Sequence, residues 1–158
     1  MAIGLGAYAA GSYSVAIGFE SRASRRASFS MGGYLVAGGG YSVAMGIANS
    51  ALGYSSIAIG EGLRAHGSNT TVVGRFNESN LAGFGDHPDV ENADGHLFVV
   101  GNGTSSDRSN AMVIYHDGAV DVGKNGADDT VPLQVTSDGS VVLARAQGDI
   151  SMGAFGSN

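Results

Sequence analysis

The sequence predicts an all-β chain: a parallel solenoid of 14-residue rungs over residues 1–74, followed by a module of β-hairpins. Three observations carry this. Glycine recurs every 14 residues, at Gly4, Gly18, Gly32, Gly46, Gly60 and Gly74. The stretch entering each glycine, as in Ser14-Val15-Ala16-Ile17-Gly18, alternates large and small side chains, the period of a strand. Asp-Gly pairs stand between apolar runs at Asp117-Gly118 and Asp138-Gly139, the strongest short-range hairpin signal because such turns need positive φ.

The glycine column does not stand alone. A large aliphatic precedes it every time: Ile3, Ile17, Met31, Met45, Ile59 and Val73. Before that comes a small residue at Ala2, Ala16, Ser30, Ala44 and Ala58, with Val72 the exception. Alanine follows five positions after the glycine at Ala9, Ala23, Ala37, Ala51 and Ala65, and a hydroxyl precedes it by four at Ser14, Ser28, Ser42, Ser56 and Thr70. Four columns in one register define a structural unit. One strand runs into the glycine and a second, shorter one runs through the alanine, so two strands and two turns use up the 14 residues. Each rung is then one flat coil, and the next stacks on it in parallel at ~4.8 Å.

A two-strand coil is thin, so large side chains cannot fill both faces of both strands. The Ile/Met/Val column shares a parity with Val15, Phe29, Val43 and Ile57 and forms one apolar layer. The small column points the other way. Periodicity leaves open which layer lines the coil and which meets a neighbour. Either way one apolar flank is left wet in a lone chain, and soluble monomers rarely expose such patches. Burying ~500 Å² of it would contribute roughly 12 kcal/mol before entropy, and closed cyclic symmetry is the usual way to hide it.

Ser14-Val15-Ala16-Ile17-Gly18, Ser42-Val43-Ala44-Met45-Gly46 and Ser56-Ile57-Ala58-Ile59-Gly60 resemble the head repeat of YadA-like trimeric autotransporter adhesins. That resemblance covers residues 1–74. It implies a left-handed parallel β-roll and assembly of three rolls around an axis. Arg25 and Arg26 depart from the pattern, standing where other rungs have Gly11, Gly39, Gly53 and Gly67 or their neighbours, and predict a modified, outward-facing turn. The membrane anchor and coiled-coil stalk of that family are not in this sequence.

Beyond Gly74 the 14-residue register stops. Residues 75–96, with Pro88 and several Asp and Asn, read as a connecting loop. Leu97-Phe98-Val99-Val100-Gly101 reads as a strand, followed by a polar turn from 102 to 110. Two hairpins linked through Pro132 are expected next, at the two Asp-Gly pairs. Hairpins of this size are marginal alone, so a trimeric, β-prism-like arrangement over 97–158 is expected. The run from Val120 to Val135, with Val120-Asp121-Val122-Gly123, then Pro132 and Leu133-Gln134-Val135, is similar to the short β-modules of phage tail fibres. That resemblance covers about residues 97–145 and extends the candidate settings to a virion-borne fibre.

Composition excludes several functions. The chain has 158 residues and 27 glycines but two prolines, without the three-residue period of collagen. Apolar residues make up 43% and charged residues 14%, the reverse of a disordered balance. A net charge of −6 disfavours nucleic acid and anionic membrane surfaces as partners. No apolar run approaches the ~20 residues that span a bilayer, and no signal-peptide pattern opens the chain, so export and anchoring are expected to lie beyond this segment. Cysteine is absent. His66, His87, His96 and His116 have no metal-ligand spacing. The cluster of His87 and His96 with Asp86, Asp89, Glu91 and Asp94 reads as a solvated acidic loop. The glycines at 4–6 and 38–40 precede no helical pattern that would make a phosphate cradle. No nucleophile stands in a catalytic context, so no catalytic, cofactor or metal residues are assigned. Sequons at Asn69, Asn77 and Asn102 matter only in a glycosylating host.

The candidate surface residues are aromatic. Tyr13 and Tyr41 share a turn column, and Tyr34, Tyr54 and Phe19 lie near turns, where they can meet sugar rings or a receptor. The expected function is that of a homotrimeric, extracellular fibre segment that binds a host-surface receptor or glycan, or spaces the element that does. The alternatives are an ice-binding solenoid, which would display flat Thr-x-Thr ladders, and a β-helix carbohydrate-active enzyme, which would need a carboxylate pair in a cleft.

Overall fold

The computed structural model describes residues 1–78, 95–123, 133–135 and 141–142. Every regular element among them is a strand. In chain order these are β1 (Ala2–Ile3), β2 (Tyr8–Ala9), β3 (Val15–Phe19), β4 (Arg22–Ala23), β5 (Phe29–Gly33), β6 (Val36–Ala37), β7 (Val43–Ile47), β8 (Ser50–Ala51), β9 (Ile57–Glu61), β10 (Arg64–Ala65), β11 (Thr71–Arg75), β12 (His96–Asn102), β13 (Asn110–Tyr115), β14 (Val120–Val122), β15 (Leu133–Val135) and β16 (Val141–Val142).

Up to β11 the odd-numbered strands pair in parallel in one sheet and the even-numbered strands in a second, so the described chain makes about five turns of a solenoid. Every step advances the register by one 14-residue rung: Ile17 lies between Ile3 and Met31, and Gly32 between Gly18 and Gly46. The two short strands flanking each rung agree, with Ala37 between Ala23 and Ala51.

The parity left open by the sequence is decided here. Ala16, Ala44 and Ala58 of the long-strand sheet and Ala23, Ala37, Ala51 and Ala65 of the short-strand sheet are fully buried inside the coil. The sheets face each other across alanine, a spacing that larger residues on both sides would force apart. The large aliphatics therefore point outward. A third interior column, Ser21, Leu35, Asn49, Leu63 and Asn77, supplies the bulk that the alanines lack.

Interior polar groups are tied to turn backbone. Ser28, Ser42 and Ser56 donate to the carbonyls of Arg25, Gly39 and Gly53, 2.7–2.8 Å away, which closes the turn before each long strand. Asn49 Nδ2 donates to the carbonyls of Met45 (2.6 Å) and Gly60 (2.7 Å), and its Oδ1 accepts from Leu63 N–H at 2.8 Å. Asn77 treats the exposed edge of β10 as another rung would, accepting from Arg64 N–H at 2.8 Å and donating to Arg64 O at 3.1 Å. Ser14 and Ser30 are exceptions among the interior hydroxyls: neither finds a partner, and Ser30 replaces alanine in the buried ladder. An unpaired buried hydroxyl costs about 1–3 kcal/mol. Ser30→Ala is therefore expected to stabilise the chain by about 1 kcal/mol and to raise the melting midpoint by a few degrees.

Each turn carries a left-handed residue, and most are not glycine. Before the long strands these are Tyr13, Ala27, Tyr41, Ser55 and Asn69, with φ between 52° and 62°. After them come Gly6, Glu20, Tyr34, Ala48, Gly62 and Phe76, with φ between 41° and 70°. Such residues cost on the order of 1 kcal/mol each. The ladder offsets this, because their N–H groups reach the preceding rung: Tyr34 N–H donates to Phe19 O at 2.9 Å and Tyr41 N–H to Arg26 O at 2.8 Å. Arg25 and Arg26 lie in such a turn and are exposed, as their place in the repeat predicts.

The strand read from sequence as opening the second module also extends the first. β12 pairs in parallel with β11, setting Phe98 opposite Thr71, Val99 opposite Val72, and Gly101 opposite Gly74. From β12 onward the same sheet continues as an antiparallel meander through β13, β14, β15 and β16. The β13–β14 hairpin turns at Asp117-Gly118 as expected, with Gly118 at φ 91° and Ala119 N–H donating to Asp117 Oδ1 at 2.9 Å. The connecting residues 79–94, the Pro132 link and the Asp138-Gly139 turn lie outside the described residues.

Candidate functional surfaces

The outward parity of the long-strand sheet forms an apolar face. It runs from Ile3 through Val15 and Ile17, Phe29 and Met31, Val43 and Met45, Ile57 and Ile59, to Thr71 and Val73. It then crosses the change from parallel to antiparallel pairing without a break: Phe98 and Val100 lie opposite Ile114 and Met112, which lie opposite Val120 and Val122. The inward neighbours Val72, Val99 and Val113 are buried, whereas Met31 is 40% and Ile59 43% exposed. Nine successive strands carry this face, a strip roughly 40 Å long at the usual strand spacing. The sequence showed it only as far as Val73. Its continuation was signalled by the recurrence of Val72-Val73-Gly74 as Val99-Val100-Gly101 after an interval that breaks the 14-residue count.

The four candidate tyrosines are divided between two edges. Tyr41 and Tyr54 are in contact on the edge before the long strands, in a T-shaped arrangement with centroids 5.5 Å apart. The guanidinium of Arg26 lies 5.8 Å from the Tyr41 ring centroid, so three successive rungs contribute to one cation–aromatic strip. Tyr13 shares that edge two rungs away and is 86% exposed. Tyr34 belongs to the opposite edge, where its ring meets Phe19 edge-on at 5.1 Å.

The hydroxyl column is interior: Ser28, Ser42 and Ser56 are buried, so it presents no flat hydroxyl ladder of the kind an ice-binding solenoid needs. Among the described residues no three His, Asp or Glu side chains gather as a metal site. His96 lies in β12 with its ring 5.2 Å from Tyr115, while His87, Asp86, Asp89, Glu91 and Asp94 lie outside the described residues. Arg108 donates to the carbonyls of Gly62 (2.7 Å) and Asn77 (3.1 Å), fastening the 102–110 turn to the last rung. Burial, followed by the charge of Arg64, holds its pKa below the usual arginine value. No described helix is long and apolar enough to cross a membrane.

Comparison with known families finds two copies of the YadA head domain repeat, over residues 1–21 and 37–62. No curated protein and no solved structure matches the chain. The match does not reach residues 97–145, so the tail-fibre resemblance stays one of sequence. YadA heads are adhesin domains and not an enzyme family, and they point to an adhesin-like role at a surface. The matched repeats, the 14-residue register and the stacked parallel strands together make the first half of this chain a YadA-like head built as a β-roll.

Proposed function

We propose that this chain is an adhesive or spacing segment of a homotrimeric extracellular fibre, on a cell surface or a virion-like tail. In this reading residues 1–74 form the head, 75–96 the connector and 97–158 the fibre module. Three copies turn the apolar face of the long-strand sheet to a common axis, leaving the turns and the short-strand sheet to meet a host-surface receptor or glycan. The observation that carries this is the unbroken outward ladder from Ile3 to Val122. In a lone chain it leaves wet the residues a soluble protein normally covers, and cyclic assembly covers one identical face per copy.

Static light scattering on the purified chain at micromolar concentration tests it. A mass of about three times 15.8 kDa is expected. A monomer that stays soluble and folded sinks the proposal.

A further inference from the structure

A groove of about 520 Å³ opens on the outer side of the coil, lined by Gly6, Glu20, Arg22, Tyr34, Leu35 and Val36. We infer that it is a subsite for a neutral pyranose saccharide; this rests on the fibre reading above and names the ligand class that its outward surface takes.

The groove is built from three rungs. Gly6 comes from the first, Glu20 and Arg22 from the second, and Tyr34, Leu35 and Val36 from the third, a span of about 10 Å at the rung spacing. Its volume lies within the ordinary range for small-ligand sites. None of its residues belongs to the outward apolar ladder, so trimer formation through that ladder leaves it open.

The chemistry is that of sugar recognition. Tyr34 is 57% exposed. Its backbone is fixed at φ 55° by the rung-to-rung hydrogen bond, and its ring is braced edge-on by Phe19. A positioned, half-exposed ring offers a flat apolar surface to the C–H face of a pyranose at low entropic cost. Beside it stand one carboxylate and one guanidinium. Among the described residues neither the Glu20 nor the Arg22 side chain is engaged in an ion pair or hydrogen bond. Together they offer a pure acceptor and a multiple donor, the pair needed to bracket adjacent hydroxyls. Opposite charges in equal number favour a neutral sugar over an acidic one. Val36 supplies the apolar floor, with Leu35 buried beneath it.

The repeat supplies variants that the fold already tolerates. Ala48 occupies the column of Tyr34, also at φ 55°, and Ser50 that of Arg22. Tyr34→Ala and Arg22→Ser are therefore expected to leave melting temperature and mass unchanged. The full chain is applied to an array of neutral hexose, N-acetylhexosamine and uronic-acid-terminated oligosaccharides, and the strongest neutral hit is titrated against each variant. Binding to neutral oligosaccharides is expected, weakened roughly tenfold by Tyr34→Ala and comparably by Arg22→Ser. Three results overturn the inference: no neutral saccharide bound, binding undiminished in Tyr34→Ala, or binding confined to acidic sugars. The groove is contained in one chain, so the array reads it whatever the measured mass, and a failure of the trimer is seen separately by light scattering.

Discussion

Replacing Gly32 with alanine is expected to unfold the solenoid, while the same replacement at the adjacent Gly33 leaves it folded. Gly32 has φ 139°, a conformation essentially restricted to glycine, and a Cβ there would lie 1.9 Å from the carbonyl oxygen of Gly46. Backbone strain of this kind costs on the order of 1–3 kcal/mol by itself. The collision adds to it, because the obstructing atom belongs to the main chain of the next rung and can move only if the ladder opens. A combined loss above about 3 kcal/mol is a large part of the 5–15 kcal/mol that a domain of this size holds in reserve. At Gly33 a Cβ would meet nothing within 4 Å, and φ is not positive. Circular dichroism melts of the two variants decide it: a Gly32→Ala protein melting with the wild type would show that the glycine column is not a steric requirement. Gly18, Gly46 and Gly60 face the same obstruction from the rung above, at 1.8–2.1 Å.

The second large effect is expected on the outward face. Met31→Glu with Ile59→Glu should convert the proposed trimer to a folded monomer. Both side chains are substantially exposed in the single chain, so the coil interior does not register the change. In the assembly each would lie at the axis. Fully burying a Met or Ile side chain is worth about 1.5–3 kcal/mol; with Met31 40% and Ile59 43% exposed in the single chain, losing six of them removes roughly 4–7 kcal/mol from association. The six carboxylates put in their place would repel one another in a desolvated setting. Light scattering should then give 15.8 kDa, with an unchanged circular dichroism spectrum. A double variant that remains trimeric would place the interface elsewhere. A large residue on the opposite parity, as in Ala44→Leu, should instead damage the monomer, because Ala44 is fully buried between the two sheets.

Much of the head was legible because its information is one-dimensional. A rung contacts the next rung at a fixed offset of 14, so columns in the sequence become ladders in space, and the register Gly4 to Gly74 is also the hydrogen-bond register. The hairpin at Asp117-Gly118 was legible for a similarly local reason, the need for positive φ at Gly118. The left-handed columns were not. Tyr13, Glu20, Tyr34 and Ala48 carry no compositional mark of positive φ, since it is imposed by hydrogen bonds from a rung away. The division of the tyrosines was hidden too: Tyr41 meets Tyr54, 13 positions on, through stacking, and Tyr34 is sent to the other edge by its offset within the rung.

By itself, the sequence determined an all-β chain of 14-residue rungs, the glycine positions the rungs require, and the parity that splits large residues from small. Only the tertiary structure decided that the small parity lines the coil and the large parity faces out. Alternation says that two faces differ but not which is enclosed; that depends on how close the second sheet stands, and alanine in both sheets sets that distance. The tertiary structure alone also joined β12, β13 and β14 to the same face, because a ladder resumed after a break in the count is recognised by its pairing and not by its spacing.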